Sequence, residues 1–297
     1  KRINNIRLLD HYAYLSCNFG IVVLDLKKNE ISDTYIIGAN GSMTEVYDLV
    51  FFKDTIYAAS KQGIMYANKK SQNLANFNNW HIDSTLIKKD YYCNILHVFN
   101  NKLIANLTKN YWDTDTLYMK EENKWNKILD GQHGNRTQIK SYDDLLVIAQ
   151  PAALFLYNDK LEEVNRIWNL GIDFPMPNDF EREAYNTKSY WIGDNNNGLI
   201  RNYNFWNNDY FTPAGPYSSK VYKIFGTKDY IIGVPGARDI SWNNTYQYGG
   251  LFAFQNEHWT NIHKKSINAF DTLYDFMSVV IHPANPEHWF IGSYSRG

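Results

Sequence analysis

The sequence is short of several features that assign proteins to familiar classes. Its 297 residues include only two cysteines, Cys17 and Cys93, which is too few for a disulfide scaffold. Both lie in apolar segments, so we expect two buried free thiols. The 30 basic and 31 acidic residues nearly cancel, and no run rich in lysine or arginine occurs. Without a positive field to concentrate polyanions, nucleic acid is not an expected partner.

Long apolar runs and helical patterning are also scarce. The longest apolar stretches have the length of a strand, far below the roughly 20 residues that cross a bilayer. The chain opens on "KRINNIRLLD", which is patterned like a strand and not like a signal segment, so we expect a processed or excised N-terminus. Few segments show a sustained helical period, while 44% of the residues are hydrophobic. Together these features predict a β-rich globular protein.

An internal repeat runs through the chain. Several stretches of equal length place a short apolar run before a turn and an aligned glycine. They are "AYLSCNFG" (residues 13–20), "IYAASKQG" (56–63), "WIGDNNNG" (191–198) and "FIGSYSRG" (290–297). "LVIAQPAALFLY" fits with Ala153 in the glycine position, and "IIGVPG…YGGLFAF" fits if an insertion separates Pro235 from Gly249.

Tryptophans recur near the ends of the repeat units. Trp80, Trp125, Trp168, Trp206 and Trp259 are 38 to 53 residues apart. Units of about 40 to 50 residues with four short strands are typical of β-propeller blades. We therefore predict an all-β propeller of four-stranded antiparallel blades, with seven blades. Trp80, Trp125, Trp168 and Trp259 are expected to pack between adjacent blades.

Six full units and one half unit are visible. The full units are residues 1–42, 43–90, 91–135, 136–183, 184–220 and 221–275, and the half unit is residues 276–297. A propeller closes by joining its first and last strands in one blade, which removes free sheet edges. The last unit supplies only two strands. Either residues outside this chain complete the ring or the units do not all belong to one ring, and we expect a larger multidomain protein.

The first two units resemble a known family. "FGIVVLDLKKNEISDTYIIG" (residues 19–38), within residues 3–82, resembles the N-terminal propeller of PorZ-type proteins of type IX secretion. More broadly it resembles the propeller repeats of two-component regulators. The resemblance implies two propellers, a C-terminal β-sandwich and a non-enzymatic role at the outer membrane surface or in the periplasm of a Gram-negative bacterium. It also implies partners, namely other proteins of a surface secretion complex, lipopolysaccharide or another glycan.

The stretch Asp194-Asn195-Asn196-Asn197-Gly198 has the composition of an oxygen-rich cation loop. The aligned positions in other units carry no acid, and an apolar strand follows directly. Asn and Gly are the residues that a hairpin turn needs to reach positive φ. We therefore interpret the stretch as a turn, and retain Asp194 as a candidate residue at the propeller mouth.

Motifs for catalysis and metal binding do not occur. No Gly-x-Ser-x-Gly elbow is present, and the eight histidines form no His-x-x-x-His pair. The arginines do not recur at one blade position, as a sialidase-type carboxylate clamp would require. We therefore predict a protein that is not an enzyme, with no cofactor and no metal.

Two insertions between the second and third strands of their units form the candidate binding site. They are "LTKNYWDTDT" (residues 107–116) and "GARDISWNNTYQYGG" (residues 236–250). Departures from a repeat often carry function; aromatic rings beside amide and carboxylate groups suit sugars, and Tyr, Trp and Arg are also the residues that dominate protein interfaces. The alternative is that these rings only cap the blades. The candidate ligand- or partner-binding residues are Tyr111, Trp112, Asp113, Asp194, Arg238, Trp242, Tyr246 and Tyr248.

A third connection, "GIDFPMPNDFEREAY" (residues 171–185), is interpreted as structural because Phe174 and two prolines suggest packing. The leading functional prediction is a non-catalytic binding or scaffold propeller that helps attach exported cargo proteins to anionic lipopolysaccharide at the cell surface. The alternative is an extracytoplasmic, glycan-sensing propeller of a hybrid two-component regulator. A polysaccharide-active enzyme is the third candidate.

Overall fold

The computed structural model describes residues 1–86, 88–109, 114–130, 134–211, 214–216, 218–263, 267–294 and 296–297. The chain divides into two compact units, Lys1–Phe211 and Thr212–Gly297. Besides strands, the described residues contain only short 3₁₀ turns, at Ala39–Gly41, Phe77–Asn79 and Asn268–Asp271. No helix in these ranges is long and apolar enough to cross a membrane.

The first unit consists of sheets in which each strand pairs with the next one along the chain. Its first two sheets are β1 (Ile3–Leu9), β2 (Tyr12–Cys17), β3 (Gly20–Asp25), β4 (Glu30–Tyr35), and β5 (Val46–Phe52), β6 (Thr55–Ser60), β7 (Gly63–Asn68), β8 (His81–Ile82). The third is β9 (Tyr92–Phe99), β10 (Lys102–Thr108), β11 (Thr116–Glu121), β12 (Lys124–Ile128). The last two are β13 (Gln138–Tyr142), β14 (Leu145–Gln150), β15 (Ala153–Tyr157), β16 (Glu163–Ile167), and β17 (Pro177–Arg182), β18 (Tyr190–Asp194), β19 (Gly198–Tyr203), β20 (Asn207–Phe211).

The second unit has one four-stranded and one two-stranded sheet within the described residues. The strands are β21 (Lys223–Gly226), β22 (Ile231–Val234), β23 (Leu251–Gln255) and β24 (His258–Ile262), followed by β25 (Phe276–His282) and β26 (Asn285–Ser293). All pairs are antiparallel. The insertion predicted between Pro235 and Gly249 does separate β22 from β23. The predicted pattern of six four-stranded blades and a half blade is thus found among the described residues.

One boundary differs from its prediction. The fourth unit was expected to end at residue 183, yet β17 (Pro177–Arg182) pairs with β18 and opens the fifth sheet. The apolar pattern of this strand is weak, since only Pro177 and Phe180 are buried in it. The sequence pattern of this stretch therefore predicts a loop, although the stretch forms a strand.

Apolar side chains fill the spaces between successive sheets. Continuous runs of buried residues in inner strands such as β10 and β14 give a sheet two apolar faces, as expected for blades buried on both sides. One cluster joins the first and second sheets, and similar clusters join the second to the third, the third to the fourth and the fourth to the fifth. In the second unit another cluster joins β22 and β23 to β25. These clusters, and not the single sheets, are the core.

The aligned glycines mark the turns between second and third strands. Gly20, Gly63 and Gly198 have φ values of 149°, 111° and 83°. Residues with a side chain rarely adopt such values, which explains why glycine recurs there. The interpretation of "WIGDNNNG" as a turn is confirmed, since Asp194 pairs with Gly198 at the end of β18.

A β-bulge recurs near the start of the first strand of a sheet. The pairing skips Asn4 in β1, Tyr47 in β5, Asn94 in β9 and Asn178 in β17. In the second unit it skips Met277 in β25. A bulge of this kind turns an extra side chain away from the ladder. We call Asn4, Tyr47, Asn94 and Asn178 the bulge row.

The residue after the bulge often accepts a hydrogen bond from the next N–H through its side-chain oxygen. In three sheets these residues are Asn5, Asp48 and Asp179, each at 2.8 Å. Gln138, which opens β13 without a bulge, makes the same bond at 3.0 Å. In the third sheet the position holds Ile95, which has no such oxygen. There the N–H of Leu96 donates to Asp48 of the second sheet at 3.1 Å.

Two of the four tryptophans predicted to pack between blades do so. Trp80 and Trp125 are buried in the first two clusters. The prediction is wrong for Trp168, which is 57% exposed because β16 ends one residue earlier and buries Ile167 instead. Trp259 is half-buried, with its ring 5.0 Å from that of Phe254 in its own sheet.

Candidate functional site

Of the two predicted insertions, one is described throughout and the other only in part. Residues 107–116 lie between β10 and β11, as expected, but Tyr111, Trp112 and Asp113 lie outside the described residues. The insertion at residues 236–250 is described throughout. Both cysteines are buried and free, as predicted. Burial raises the pKa of the Cys93 thiol, which disfavours the reactive thiolate.

The second insertion displays its aromatic residues to solvent. The side chain of Trp242 is 63% exposed, and those of Tyr246 and Tyr248 are 60% and 46% exposed. The guanidinium carbon of Arg238 lies 3.2 Å from the centre of the Trp242 ring, which is a close cation–π stack. We call Arg238, Trp242, Tyr246 and Tyr248 the 238–248 surface. Neighbouring exposed rings, unlike single ones, are typical of interaction sites.

A local turn holds the Arg238–Trp242 stack. The carboxylate of Asp239 accepts hydrogen bonds from the N–H groups of Ser241 and Asn243, both at 2.8 Å, and from the Asn243 amide at 3.0 Å. These bonds lower the pKa of Asp239. The Tyr294 hydroxyl donates to the carbonyl of Trp242 at 2.5 Å. These hydrogen bonds hold the turn that carries Trp242, so its ring stacks on Arg238 although it is exposed.

Asp275 anchors the remainder of the insertion. Its side chain is fully buried, and its carboxylate accepts hydrogen bonds from the N–H groups of Thr245 (2.9 Å), Tyr246 (3.1 Å) and Gln247 (2.8 Å). The Thr245 hydroxyl and the Asn244 amide also donate to it, at 2.9 and 3.1 Å. The Asp275 carboxylate thus accepts the backbone N–H groups that a neighbouring strand would accept in a sheet.

Two further cations border the 238–248 surface. Tyr246 and Tyr248 pack against the ring of Tyr274, at 5.2 and 5.1 Å, and the Arg296 guanidinium lies 5.2 Å from the same ring. The Lys220 ammonium donates to the Gln247 side chain at 3.2 Å. With Arg238, this makes three cations among the described residues, against the exposed carboxylate of Asp239 and the buried carboxylate of Asp275. The local charge is therefore positive although the whole chain is nearly neutral.

Asp194 has a structural part in its turn. Its side chain is only 6% exposed. One carboxylate oxygen accepts the N–H groups of Asn196 and Asn197, at 3.0 and 2.9 Å, and the other accepts that of Met176 at 2.5 Å. Ser60, which pairs with Gly63 as Asp194 pairs with Gly198, caps its own turn by accepting the Gln62 N–H. We therefore leave Asp194 out of the proposed binding surface. Phe174, expected to pack, is 88% exposed.

The sequence interpretation missed a set of polar residues on the first strands of the first unit. These strands contact one another in the order β1, β5, β9, β13, β17. Polar contacts link each neighbouring pair: Arg7 with Asp48 (2.9 Å), Asp48 with the Leu96 N–H (3.1 Å), His97 with Ser141 (2.9 Å) and Lys140 with Asp179 (2.9 Å). Burial, with Arg7 as a second cause, lowers the pKa of His97 to about 4, so this ring is neutral at pH 7.

A sequence signal for these residues does exist. A polar pair opens the first strand in most units, as "NN" at 4–5, "YD" at 47–48, "TQ" at 137–138 and "ND" at 178–179. The pairs become visible only when the units are aligned on their first strands. The repeat is defined by its turn glycines. Units aligned on these glycines have their second and third strands aligned, but not their first strands.

The blade pattern and its inner first strands define a β-propeller. Residues 1–81 match the family model described as the N-terminal beta-propeller domain of the type IX secretion protein PorZ, which confirms the resemblance for that part of the chain. No curated protein matches the sequence.

Solved structures extend the likeness in fold to the whole chain. PorZ of Porphyromonas gingivalis, described as an essential bacterial surface component of the type IX secretion system, is similar over 99% of this chain and 38% of its own, with 16% identity and a TM-score of 0.71. The extracellular domain of a putative hybrid two-component system from B. thetaiotaomicron is similar over 98% of this chain and 37% of its own, with 13% identity and a TM-score of 0.53. The chain thus spans less than two fifths of either structure, and at these identities the likeness is one of fold.

Proposed function

We propose that the chain is a non-catalytic binding module at the surface of a Gram-negative bacterium. In this proposal it is part of a PorZ-like component of type IX secretion that helps attach exported cargo proteins to anionic lipopolysaccharide. The match of residues 1–81 to the PorZ propeller supports the assignment to that machinery. The observation that carries the binding role is the stack of Arg238 on the exposed ring of Trp242.

The chemistry of the 238–248 surface suits a charged sugar. An aromatic face takes up the C–H face of a pyranose ring, and a guanidinium binds phosphate or carboxylate oxygens through paired N–H donors. Arg238 offers those donors beside the Trp242 ring, and Arg296 and Lys220 add positive charge. Asp239 is ionised, since its hydrogen bonds lower its pKa, and with the buried Asp275 it offsets two of these three positive charges and leaves a net positive charge.

Replacing Trp242 by alanine is expected to weaken binding to anionic lipopolysaccharide about five- to thirtyfold, since a stacked aromatic contact and its Arg partner are worth about 1 to 2 kcal/mol. Surface plasmon resonance of the purified chain over immobilised lipopolysaccharide measures this. The matched control is Trp206→Ala, because Trp206 lies in the first unit and is 62% exposed against 63% for Trp242. Equal losses for the two variants, or no binding by the unmodified chain, would contradict the proposal.

A further inference from the structure

A second cleft lies in the first unit, among its first strands. Its volume is about 310 Å³, and each of β1, β5, β9 and β17 contributes to its lining, together with the start of β13. The bulge row supplies one residue from each of the four strands. The residue after each of these bulges also lines the cleft, and it is polar except for Ile95; Gln138 of β13 adds a further polar side chain. The bulges therefore concentrate polar side chains in one place.

The cleft has free hydrogen-bonding groups. The side chain of Asn178 makes no hydrogen bond among the described residues, and the NH₂ groups of Asn94 and Gln138 have no acceptor there either. Their oxygens are engaged, by Asn106 at 2.8 Å and by the Ile139 N–H at 3.0 Å, which fixes the direction of both amides. Three side-chain amides thus present donors to one cleft, and Asn178 adds an acceptor.

The charges of the cleft are already paired. Asp48 forms a two-point ion pair with Arg7, with N–O distances of 2.9 and 3.0 Å, and Asp179 lies 2.9 Å from the Lys140 ammonium. No basic side chain of the described residues lines the cleft. It therefore offers an anion no positive partner, in contrast to the 238–248 surface.

We propose that this cleft binds a neutral sugar, such as one hexopyranose unit of a glycan. Neighbouring sugar hydroxyls each donate and accept, which matches amide donors beside the Asn178 and Asp179 oxygens. The volume suits one or two pyranose rings and is small for an extended peptide. The Tyr47 ring, stacked on Tyr92 at 4.9 Å, provides an aromatic wall for the C–H face of the sugar.

Ligand-observed NMR with the methyl glycosides of mannose, galactose and N-acetylglucosamine tests the proposal. At least one should bind with a Kd on the order of 1 mM, the range of a small polar ligand. Asn178→Ala should raise that Kd at least fivefold. Asn123→Ala is the control, because Asn123 is an exposed asparagine in the β11–β12 turn. Since Asn178 makes no hydrogen bond to the protein, its loss should leave the unfolding midpoint unchanged.

Other outcomes would overturn the proposal. They are no binding by any neutral glycoside, tighter binding of glucose 6-phosphate or triglycine than of the glycosides, or equal binding by Asn178→Ala and the unmodified chain. The site is independent of the 238–248 surface. Trp242→Ala should therefore leave glycoside binding unchanged, and failure of one site would not imply failure of the other.

Discussion

Replacing Asp48 by alanine is expected to lower the free energy of unfolding of the first unit by about 3 to 5 kcal/mol, the range for breaking a buried ion pair. The Asp48 side chain is 1% exposed and accepts hydrogen bonds from three successive sheets. It binds Arg7 and Asn5 of the first, the Leu49 N–H of its own and the Leu96 N–H of the third. Its loss leaves Asn5 and the N–H groups of Leu49 and Leu96 without this acceptor, and Arg7 keeps only the Leu96 carbonyl at 3.4 Å. Urea unfolding followed by circular dichroism measures the change.

A double variant distinguishes the effect of the buried charges from the effect of the hydrogen bonds that connect the sheets. Burial raises the pKa of the Asp48 carboxyl, and Arg7 acts against that shift. Arg7→Met together with Asp48→Leu removes both charges, so the double variant should cost less than Asp48→Ala alone. If Asp48→Ala costs under 1 kcal/mol, or if the double variant costs more, then Asp48 does not join the three sheets as described.

Replacing Asp275 by alanine should release the segment that carries Tyr246. Three backbone N–H groups, of Thr245, Tyr246 and Gln247, lose their acceptor. Each unpaired buried donor costs about 1 to 3 kcal/mol, so we expect a loss of about 2 to 4 kcal/mol, with the segment opening to water to limit it. Hydrogen exchange of these amides should become fast in the variant. Unchanged protection would show that Asp275 is not the anchor.

The same residue gives a pH dependence of known sign. Burial opposes ionisation of Asp275, but the hydrogen bonds from Gln247, Asn244 and Thr245 outweigh it, and its pKa is lowered. A carboxyl whose folded pKa lies below its unfolded value of about 3.9 stabilises the fold at neutral pH. That contribution is lost as the pH falls below about 4. Asp275→Asn should therefore show a smaller loss of stability between pH 5 and 3 than the unmodified chain.

The repeat in the sequence predicted the fold because backbone geometry enforces it. Gly20, Gly63 and Gly198 occupy turns with positive φ, a requirement that only glycine meets without strain. The short apolar runs beside these glycines marked the second and third strands equally well. The prediction was wrong where side chains did not follow the pattern: β17 contains few buried residues, and Trp168 falls one position after the end of β16.

The candidate site was harder to predict because it depends on contacts between distant residues. Trp242 and Tyr246 are exposed because they lie in an insertion. The position of that insertion was predicted from the sequence. The anchor, Asp275, is about 30 residues further along the chain and carries no motif of its own. The bulge row was missed for a related reason. A bulge is a matter of register between two strands, and a single strand does not reveal it.

The most direct test of the proposed function compares two forms of one ligand. The chain should be titrated with a phosphorylated lipopolysaccharide and with the same material after enzymatic dephosphorylation. We expect at least tenfold tighter binding to the phosphorylated form, and we expect this preference to be lost in Arg238→Gln, which keeps a flat polar group near the Trp242 ring without the charge. Equal affinity for both forms, or a preference that survives in Arg238→Gln, would contradict the assignment of the 238–248 surface to an anionic glycan.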